Sequence, residues 1–300
     1  MKVAIASTAT LALPSIEALI TSKHQFVGVI TKADTPMGRG RHLTPNPLVQ
    51  SLSGRFPIIK VEGQSQIRAA IAQLQPDLVI AISFGNLIKS DALADPKYGW
   101  LNLHFSLLPK YRGAAPVQWA LLNGETETGV TVFKLDEGMD TGPIYAQRRL
   151  DLVGNERCGS LLERLSQIGV EALLETLDLI EAGVAPTQQR GSSSRAPKIS
   201  KSDARINWNE SAQQIDRLIR AMDPEPGAWA EFRNSRIRFG KVEVSADSGL
   251  PGSIIHGEHL AIATGSGSLL VHELQPEGKR MMSSAEWARG ARLTGLHQFK

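Results

Sequence analysis

Cysteine is nearly absent: the 300 residues hold one, Cys158. A lone thiol forbids an internal disulfide and any zinc site built on cysteines, and it fits a reducing compartment such as the cytoplasm. Long apolar runs are absent too. No stretch nears the ~18 consecutive apolar residues of a membrane-spanning helix. The apolar start of the chain is interrupted by Ser7, Thr8 and Thr10 and closed by Pro14, so it reads as a first strand and its loop rather than a secretory leader. Charge of one sign is scarce, with 33 Lys and Arg against 30 Asp and Glu, net +3. That is short of the density that marks a nucleic-acid binder by itself. The loop Ser7-Thr8-Ala9-Thr10 after the first strand lacks the glycines of a G-x-G-x-x-G turn, which argues against a nicotinamide enzyme.

What remains is a length and an apolar content, 42% of residues, that suit two domains. Lys2 to Ala6, Pro14 to Ser22 and Phe26 to Thr31 read as strand, helix and strand. Ile58 to Val61 and Asp77 to Ile82 read as further strands around a helix from Ser65 to Gln75, where Ile67, Ile71 and Leu74 keep helical spacing. Strands alternating with helices predict a mainly parallel, Rossmann-like α/β sheet. Asp77 to Ile82 is apolar enough for a strand covered on both faces, and Phe84-Gly85 ends it. The stretch from Asp34 to Pro47 has no periodicity; it is read either as a solvated surface loop or as a basic arm, carrying Arg39 and Arg41, for phosphates. A strand from Ile144 to Leu150 and a helix from Cys158 to Glu181, ended by Gly183, complete a first domain over residues 1–183.

Residues 184–202 change to Pro, Gln, Ser and basic residues and read as a linker. Beyond it, a helix capped at Ser211 carries Ile215, Leu218, Ile219 and Met222 on one face. Five short strands follow: 228–232, 237–244, 252–255, 260–263 and 269–274. They predict a small β-barrel over 203–300, closed by a helix whose capping box is Ser283 and Glu286. Charge is uneven. Residues 1–183 carry 17 basic against 18 acidic side chains, whereas 184–300 carry 16 against 12, net +4. A polyanion would favour the second half.

Chemistry concentrates between Trp100 and Tyr145. In Trp100-Leu101-Asn102-Leu103-His104-Phe105 the period of a strand puts Asn102 and His104 on one face. A loop from Ser106 to Pro109 follows with Arg112 and Gly113. Pro116 then opens a short helix that Asn123-Gly124 closes. A strand from Gly129 to Leu135 runs into a turn that carries Asp140, expected at the same sheet edge as His104. An imidazole, an amide and a carboxylate together supply a proton carrier, an oxyanion donor and a group that orients or tunes the carrier. No cluster with metal-ligand spacing appears outside this trio.

Asn102-Leu103-His104, Ser106-Leu107-Leu108-Pro109, Arg112-Gly113-Ala114-Ala115-Pro116 and Asp136-x-Gly138-x-Asp140-Thr141-Gly142 together resemble the folate-dependent formyltransferases, most of all those that act on methionyl-tRNA. The resemblance implies Asn102, His104 and Asp140 as the catalytic trio. It also implies contact of Ser106, Leu107, Leu108 and Pro109 with the tetrahydrofolate carrier, an OB-like form for the tRNA-binding barrel, and Gly38-Arg39-Gly40 as part of an arm against the acceptor stem. The reaction implied is transfer of the formyl group of 10-formyltetrahydrofolate to the α-amino group of initiator methionyl-tRNA, with no metal and no obligatory protein partner. Two departures stand out: Ser7-Thr8-Ala9 replaces the Gly-Thr-Pro common after the family's first strand, and Phe105 replaces a small residue. A sugar nucleotide or other small amine as formyl acceptor stays open, as does a non-catalytic RNA-binding module with a structural trio.

Overall fold

The computed structural model describes residues 1–37, 42–44, 46–52, 54–255, 259–293 and 297–300. The chain divides into two compact units. One comprises Met1–Pro116, Glu127–Asp151 and Leu162–Pro197; the other comprises Val117–Thr126, Leu152–Leu161 and Lys198–Lys300.

The first unit is built on β1 (Lys2–Ser7), β2 (Gln25–Lys32), β3 (Thr35–Met37), β4 (His42–Thr44), β5 (Ile58–Val61), β6 (Leu78–Ile82), β7 (Trp100–His104), β8 (Glu127–Lys134) and β9 (Ile144–Asp151). Seven of them form one sheet in the order β5-β2-β1-β6-β7-β8-β9. The first five run parallel, as the alternation of strands and helices predicts. β1 and β6 are buried almost throughout because helices cover both faces, which is why Leu78 to Ile82 is an unbroken apolar run. Those helices include α1 (Leu13–Thr21), α2 (Pro47–Leu52), α3 (Gln64–Leu74), α4 (Ser90–Ala94) and the inner part of α6 (Cys158–Glu181). The short α5 (Pro116–Leu122) falls almost wholly in the second unit.

Two features differ from the sequence expectation. β8 and β9 are antiparallel: Leu101 pairs with Lys134 and His104 with Thr131, so β8 ends level with the start of β7 rather than at the edge where His104 lies. Nor is the segment from Asp34 to Pro47 structureless, since β3 and β4 pair as a hairpin. Asn46 caps the following helix by accepting from the Val49 N–H at 3.1 Å, and Leu48 and Leu52 of α2 are fully buried. Two apolar side chains four residues apart are too little periodicity to show a helix in the sequence.

Residues 184–197, expected as linker, are bound into the first unit. Thr187 exchanges both backbone hydrogen bonds with Ile144 at 2.7 and 2.8 Å, and the Ala196 N–H donates to the Arg112 carbonyl at 2.7 Å. Arg190 and Arg195 on this strap supply two of the four net positive charges counted for residues 184–300.

The second unit contains α7 (Ala212–Ala221), β10 (Trp229–Phe232), β11 (Ser235–Phe239), β12 (Val242–Ser245), β13 (Ile254–Ile255), β14 (Ala261–Ala263), β15 (Ser268–Val271), β16 (Glu273–Pro276), β17 (Met282–Ser283) and α8 (Ser284–Ala291). Two four-stranded antiparallel sheets, β10-β11-β16-β17 and β12-β15-β14-β13, make a barrel-like domain. The expected strands 237–244 and 269–274 each break in two, at Gly240-Lys241 and at His272, and the halves enter different sheets. The breaks face one another: the His272 N–H donates to the Lys241 carbonyl at 2.9 Å. A Cβ on Gly240 would stand 3.0 Å from that of Glu273, a tight contact that favours a residue without one at the corner. Trp208, Phe232, Phe239, Trp287 and Phe299 fill the core. Both capping boxes form, Ser211 with Gln214 and Ser283 with Glu286, each satisfying helix donors that would otherwise lack partners.

Candidate active site

His104 ends β7 and Asn102 stands two residues before it, so the pleat turns both to one face of the sheet. The opposite face belongs to α6, where Leu103 lies so close to Gly169 that a Cβ there would come within 2.7 Å of it. His104 is 5% exposed, and its Nε2 lies 2.9 Å from the Tyr111 carbonyl oxygen. A carbonyl can only accept. Nε2 therefore carries the hydrogen, and Nδ1 of the neutral ring keeps a lone pair. That nitrogen is 3.9 Å from Asp140 Oδ2. Burial holds the His104 pKa below its ordinary value, opposed in part by the Asp140 charge and the Tyr111 carbonyl. The ring is thus kept in its proton-accepting form near neutral pH.

Asp140 reaches His104 by a different route from the one its sequence position suggests. Because β8 runs away from His104, the turn 136–143 has to fold back toward the loop after β7, where Asp140 Oδ2 accepts the Gly113 N–H at 2.7 Å. Asp140 adopts φ +53°, in the left-handed region that an L-residue enters at a cost. Gly113 has φ +127°, and a Cβ on it would stand 2.5 Å from the Ala196 carbonyl oxygen. Only glycine fits between the Asp140 turn and the 184–197 strap.

Asn102 is half-buried and its amide makes no side-chain hydrogen bond among the described residues. An amide held on a strand beside a proton acceptor, with its donors unspent, is suited to a developing oxyanion. The structure thus brings Asn102, His104 and Asp140 into one place. The loop Ser106 to Pro109 lies beside them, with Ser106, Leu108 and Pro109 buried and Leu107 half-exposed. Arg39 and Arg41 lie outside the described residues.

Sequence reasoning missed the residues that hold this loop. Thr131 Oγ1 donates to the Ser106 carbonyl at 2.7 Å and accepts from the Leu108 N–H at 3.1 Å and from Gln147 Nε2 at 2.9 Å. Gln147 Nε2 also donates to the Leu108 carbonyl at 2.9 Å. Ser106 Oγ donates to the Lys110 carbonyl at 2.7 Å. From the strap, Ser194 Oγ accepts the Tyr111 N–H at 2.9 Å. A Thr in a β-branched strand and a Ser in a Ser-rich segment carry no signal of such roles.

The loop at the carboxyl end of β6 is tied to the loop after β1 and to the end of β2. Thr8 Oγ1 donates to the Ser83 carbonyl at 3.0 Å, and Lys32 Nζ donates to the Gly85 carbonyl at 2.8 Å. In place of Gly-Thr-Pro, Ser7 Oγ accepts the Ala9 N–H at 3.1 Å, so the hydroxyl makes the turn. Cys158 is buried, and burial pushes its thiol up to about 12, which leaves no thiolate for nucleophilic work. One other group of ligand-type side chains comes together among the described residues, His24, Asp178 and Glu181. The Lys23 ammonium already stands 2.8 and 2.9 Å from the two carboxylates. Hollows of about 650 Å³ beside Arg68 and Asp95 and about 420 Å³ beside Arg205 and Lys300 contain no residue of the trio, and the placement of acid, base and donor is the better guide to chemistry.

Residues 1–177 match the formyl transferase family and residues 198–292 its C-terminal domain. The chain belongs to the formyl transferase family. It is 39% identical over 324 aligned positions to the methionyl-tRNA formyltransferase of Acidothermus cellulolyticus, with 100% of each chain covered. Among solved structures it is similar to HypX from Aquifex aeolicus in complex with tetrahydrofolic acid, at TM-score 0.71 and 19% identity; the match covers 100% of this chain and 50% of that one. An N-formyltransferase from Helicobacter canadensis, bound to folinic acid and dTDP-3-aminofucose, matches at TM-score 0.66 and 21% identity over 90% of this chain and 98% of that one. Likeness at these identities speaks to the formyl transferase fold alone.

Proposed function

We infer that the protein transfers the formyl group of 10-formyltetrahydrofolate to the α-amino group of initiator methionyl-tRNA, supplying formyl-methionine for translation initiation in the cytoplasm. The observation that carries this reading is the similarity to a methionyl-tRNA formyltransferase along the whole chain, C-terminal domain included. A sugar-nucleotide acceptor has in its favour only the shared fold.

In the mechanism we assign, the uncharged amine nitrogen forms a bond to the formyl carbon, and the carbonyl electron pair moves onto oxygen. The Asn102 amide donates to that oxyanion. His104 Nδ1 takes the proton that the amine loses and passes it to folate N10 as the bond from N10 to carbon breaks. Asp140 orients the ring and stabilises its charged form. No covalent intermediate with the protein is needed. The carrier lies against the loop Ser106 to Pro109, meeting chiefly the Leu107 side chain and backbone. Arg39 and Arg41 contact tRNA phosphates, and the C-terminal barrel holds the rest of the tRNA. Among the described residues no helix is long and apolar enough to cross a membrane.

The test is direct: 10-formyltetrahydrofolate labelled in its formyl group is offered with methionyl-tRNA, an amino-sugar nucleotide, or water as the only acceptor. Label should appear on methionyl-tRNA. Faster transfer to the sugar nucleotide, or release as formate in every case, overturns the reading.

A further inference from the structure

Gln189 lies in the basic, Ser-rich segment that composition marks as a linker, yet both ends of its amide are engaged. Its Nε2 donates to two carbonyls of one turn, those of Asp140 and Gly142, each at 2.8 Å. Its Oε1 accepts from Arg112 Nε at 3.2 Å and from the same guanidinium's terminal nitrogen at 2.6 Å. The flanking backbone is anchored on both sides, at Thr187 to Ile144 and at Ser194 to Arg112.

The two ends of that amide hold the two halves of the site. Arg112 stands between Tyr111, whose carbonyl takes the His104 Nε2 hydrogen, and Gly113, whose N–H holds the Asp140 carboxylate. Asp140 keeps a left-handed backbone, φ +53°, which Asp enters more readily than most L-residues but still at a cost that surrounding bonds must offset by an imposed geometry. Fixing the carbonyl of Asp140 and that of the residue two beyond it is such an imposition. We propose that Gln189 is a positioning residue: it clips the Asp140 turn to the Tyr111–Gly113 loop and so sets the separation between Asp140 and His104. It touches neither substrate and acts through Asp140. The proposal deepens the acyl-transfer reading and rests on it.

The experiment compares the full-length wild type with Gln189→Ala, which loses all four bonds, and Gln189→Glu, which keeps an acceptor for Arg112 but has no hydrogen for the two carbonyls. Thr187→Ala is the control for loss of a strap side chain, because it drops one long bond from Oγ1 to the Ile144 carbonyl, at 3.4 Å, and keeps both backbone bonds to Ile144. Three quantities are read: kcat, KM for 10-formyltetrahydrofolate, and the His104 imidazole titration followed by NMR, assigned with His104→Ala. The titration needs no substrate, so it tests positioning even if the acceptor is not methionyl-tRNA. Wild-type turnover of methionyl-tRNA tests that reading separately.

Misplacing a catalytic group by about 1 Å costs up to ~10²-fold in rate, so kcat should fall about 10- to 100-fold in both Gln189 variants with folate KM within about twofold. Among the described residues Asp140 is the one charged group acting on His104; Tyr111 presents an uncharged carbonyl and Phe133 a ring. A carboxylate that moves away raises the imidazole pKa less, so in Gln189→Ala the titration moves to lower pH. Thr187→Ala should change none of the three. Wild-type kcat and titration in both Gln189 variants overturn the proposal. So does a loss of equal size in Thr187→Ala, which makes the strap a structural tie and nothing more.

Discussion

The two units bury different things. Ser7, Thr31, His104, Ser106 and Thr131 are inside the first, and each of these five side chains makes a hydrogen bond to a neighbouring strand or loop, whereas the buried Ser15 hydroxyl on α1 has no partner among the described residues. In the second unit Thr264 and Ser268 are the buried polar side chains among the described residues, and aliphatic side chains pack around a group of aromatic rings in the core. Over its surface two arginines, Arg205 and Arg236, lie above the Trp229 ring at 5.4 and 3.9 Å. A hydrogen-bonded polar cluster around a site fixes geometry and holds a base neutral, whereas an apolar core with cations over it offers shape and charge. The first is what acyl transfer asks of a protein; the second is enough to hold a polyanion.

The sharpest break in that comparison comes from removing a reacting group. His104→Ala should lower kcat by ~10² to 10⁴, the usual worth of general acid–base catalysis. Asn102→Ala should lower it by ~10² to 10³ as an oxyanion donor. Both should leave folate binding nearly intact, and single-turnover formyl transfer measures them. Because burial keeps His104 below the ordinary 6.5, the acid limb of kcat/KM should lie below that pH. Asp140→Asn removes the charge that favours the protonated ring, so its limb should fall lower still. A limb that rises in Asp140→Asn refutes the pairing.

The second unit should answer to the loss of a ring and not of a charge. Phe299 is 1% exposed, with its centroid 4.9 to 5.8 Å from those of Trp208, Phe232, Phe239 and Trp287. Phe299→Ala should cost about 3 to 5 kcal/mol, by lost transfer energy and the cavity left behind. Denaturant midpoints measure it. Folate affinity should hold under conditions where the first unit stays folded; a parallel loss means the two cores do not unfold independently.

What was legible in advance follows the same division. The apolar runs of β1, β2 and β6 announce a parallel sheet, and Asn102, His104 and Asp140 announce chemistry, because each signal lies within a few residues of sequence. The reversal of β8 was not legible, since a strand's apolar pattern is the same in either direction. Residues 184–197 carry no sign in the sequence of their place in the first unit, for a related reason. Their side chains are mostly exposed and polar, and the backbone partners that bind them, Ile144 and Arg112, stand 43 and 84 residues away. Gly240 and His272 broke two expected strands because a barrel corner needs a bend that propensity does not show.

A smaller effect tests whether satisfied polar burial holds the carrier loop. Thr131→Val keeps shape and removes an oxygen that serves three bonds, leaving the Ser106 carbonyl, the Leu108 N–H and one Gln147 hydrogen without that partner. The cost should be about 1 to 3 kcal/mol, with a higher KM for 10-formyltetrahydrofolate and a smaller change in kcat. An unchanged KM would mean that the loop keeps its form without this brace. The same exchange at Thr264, buried in the second unit, should touch stability alone.

The smallest effect expected concerns Arg39 and Arg41, which carry the only basic charges between Lys32 and Arg55. If both sit on phosphates, replacing the pair with Ala removes two counterion-releasing contacts, and the slope of log affinity against log salt should flatten by up to about two units. At low salt the tRNA KM should rise clearly, at high salt hardly at all, because screening has already weakened what the mutation removes. Turnover at saturating tRNA should stay near wild type, and folate KM should not move, since neither arginine is asked to touch the reacting atoms. A tRNA KM that is unchanged at every salt concentration would return this segment to a solvated surface loop and leave charge recognition to the arginines outside the aromatic core.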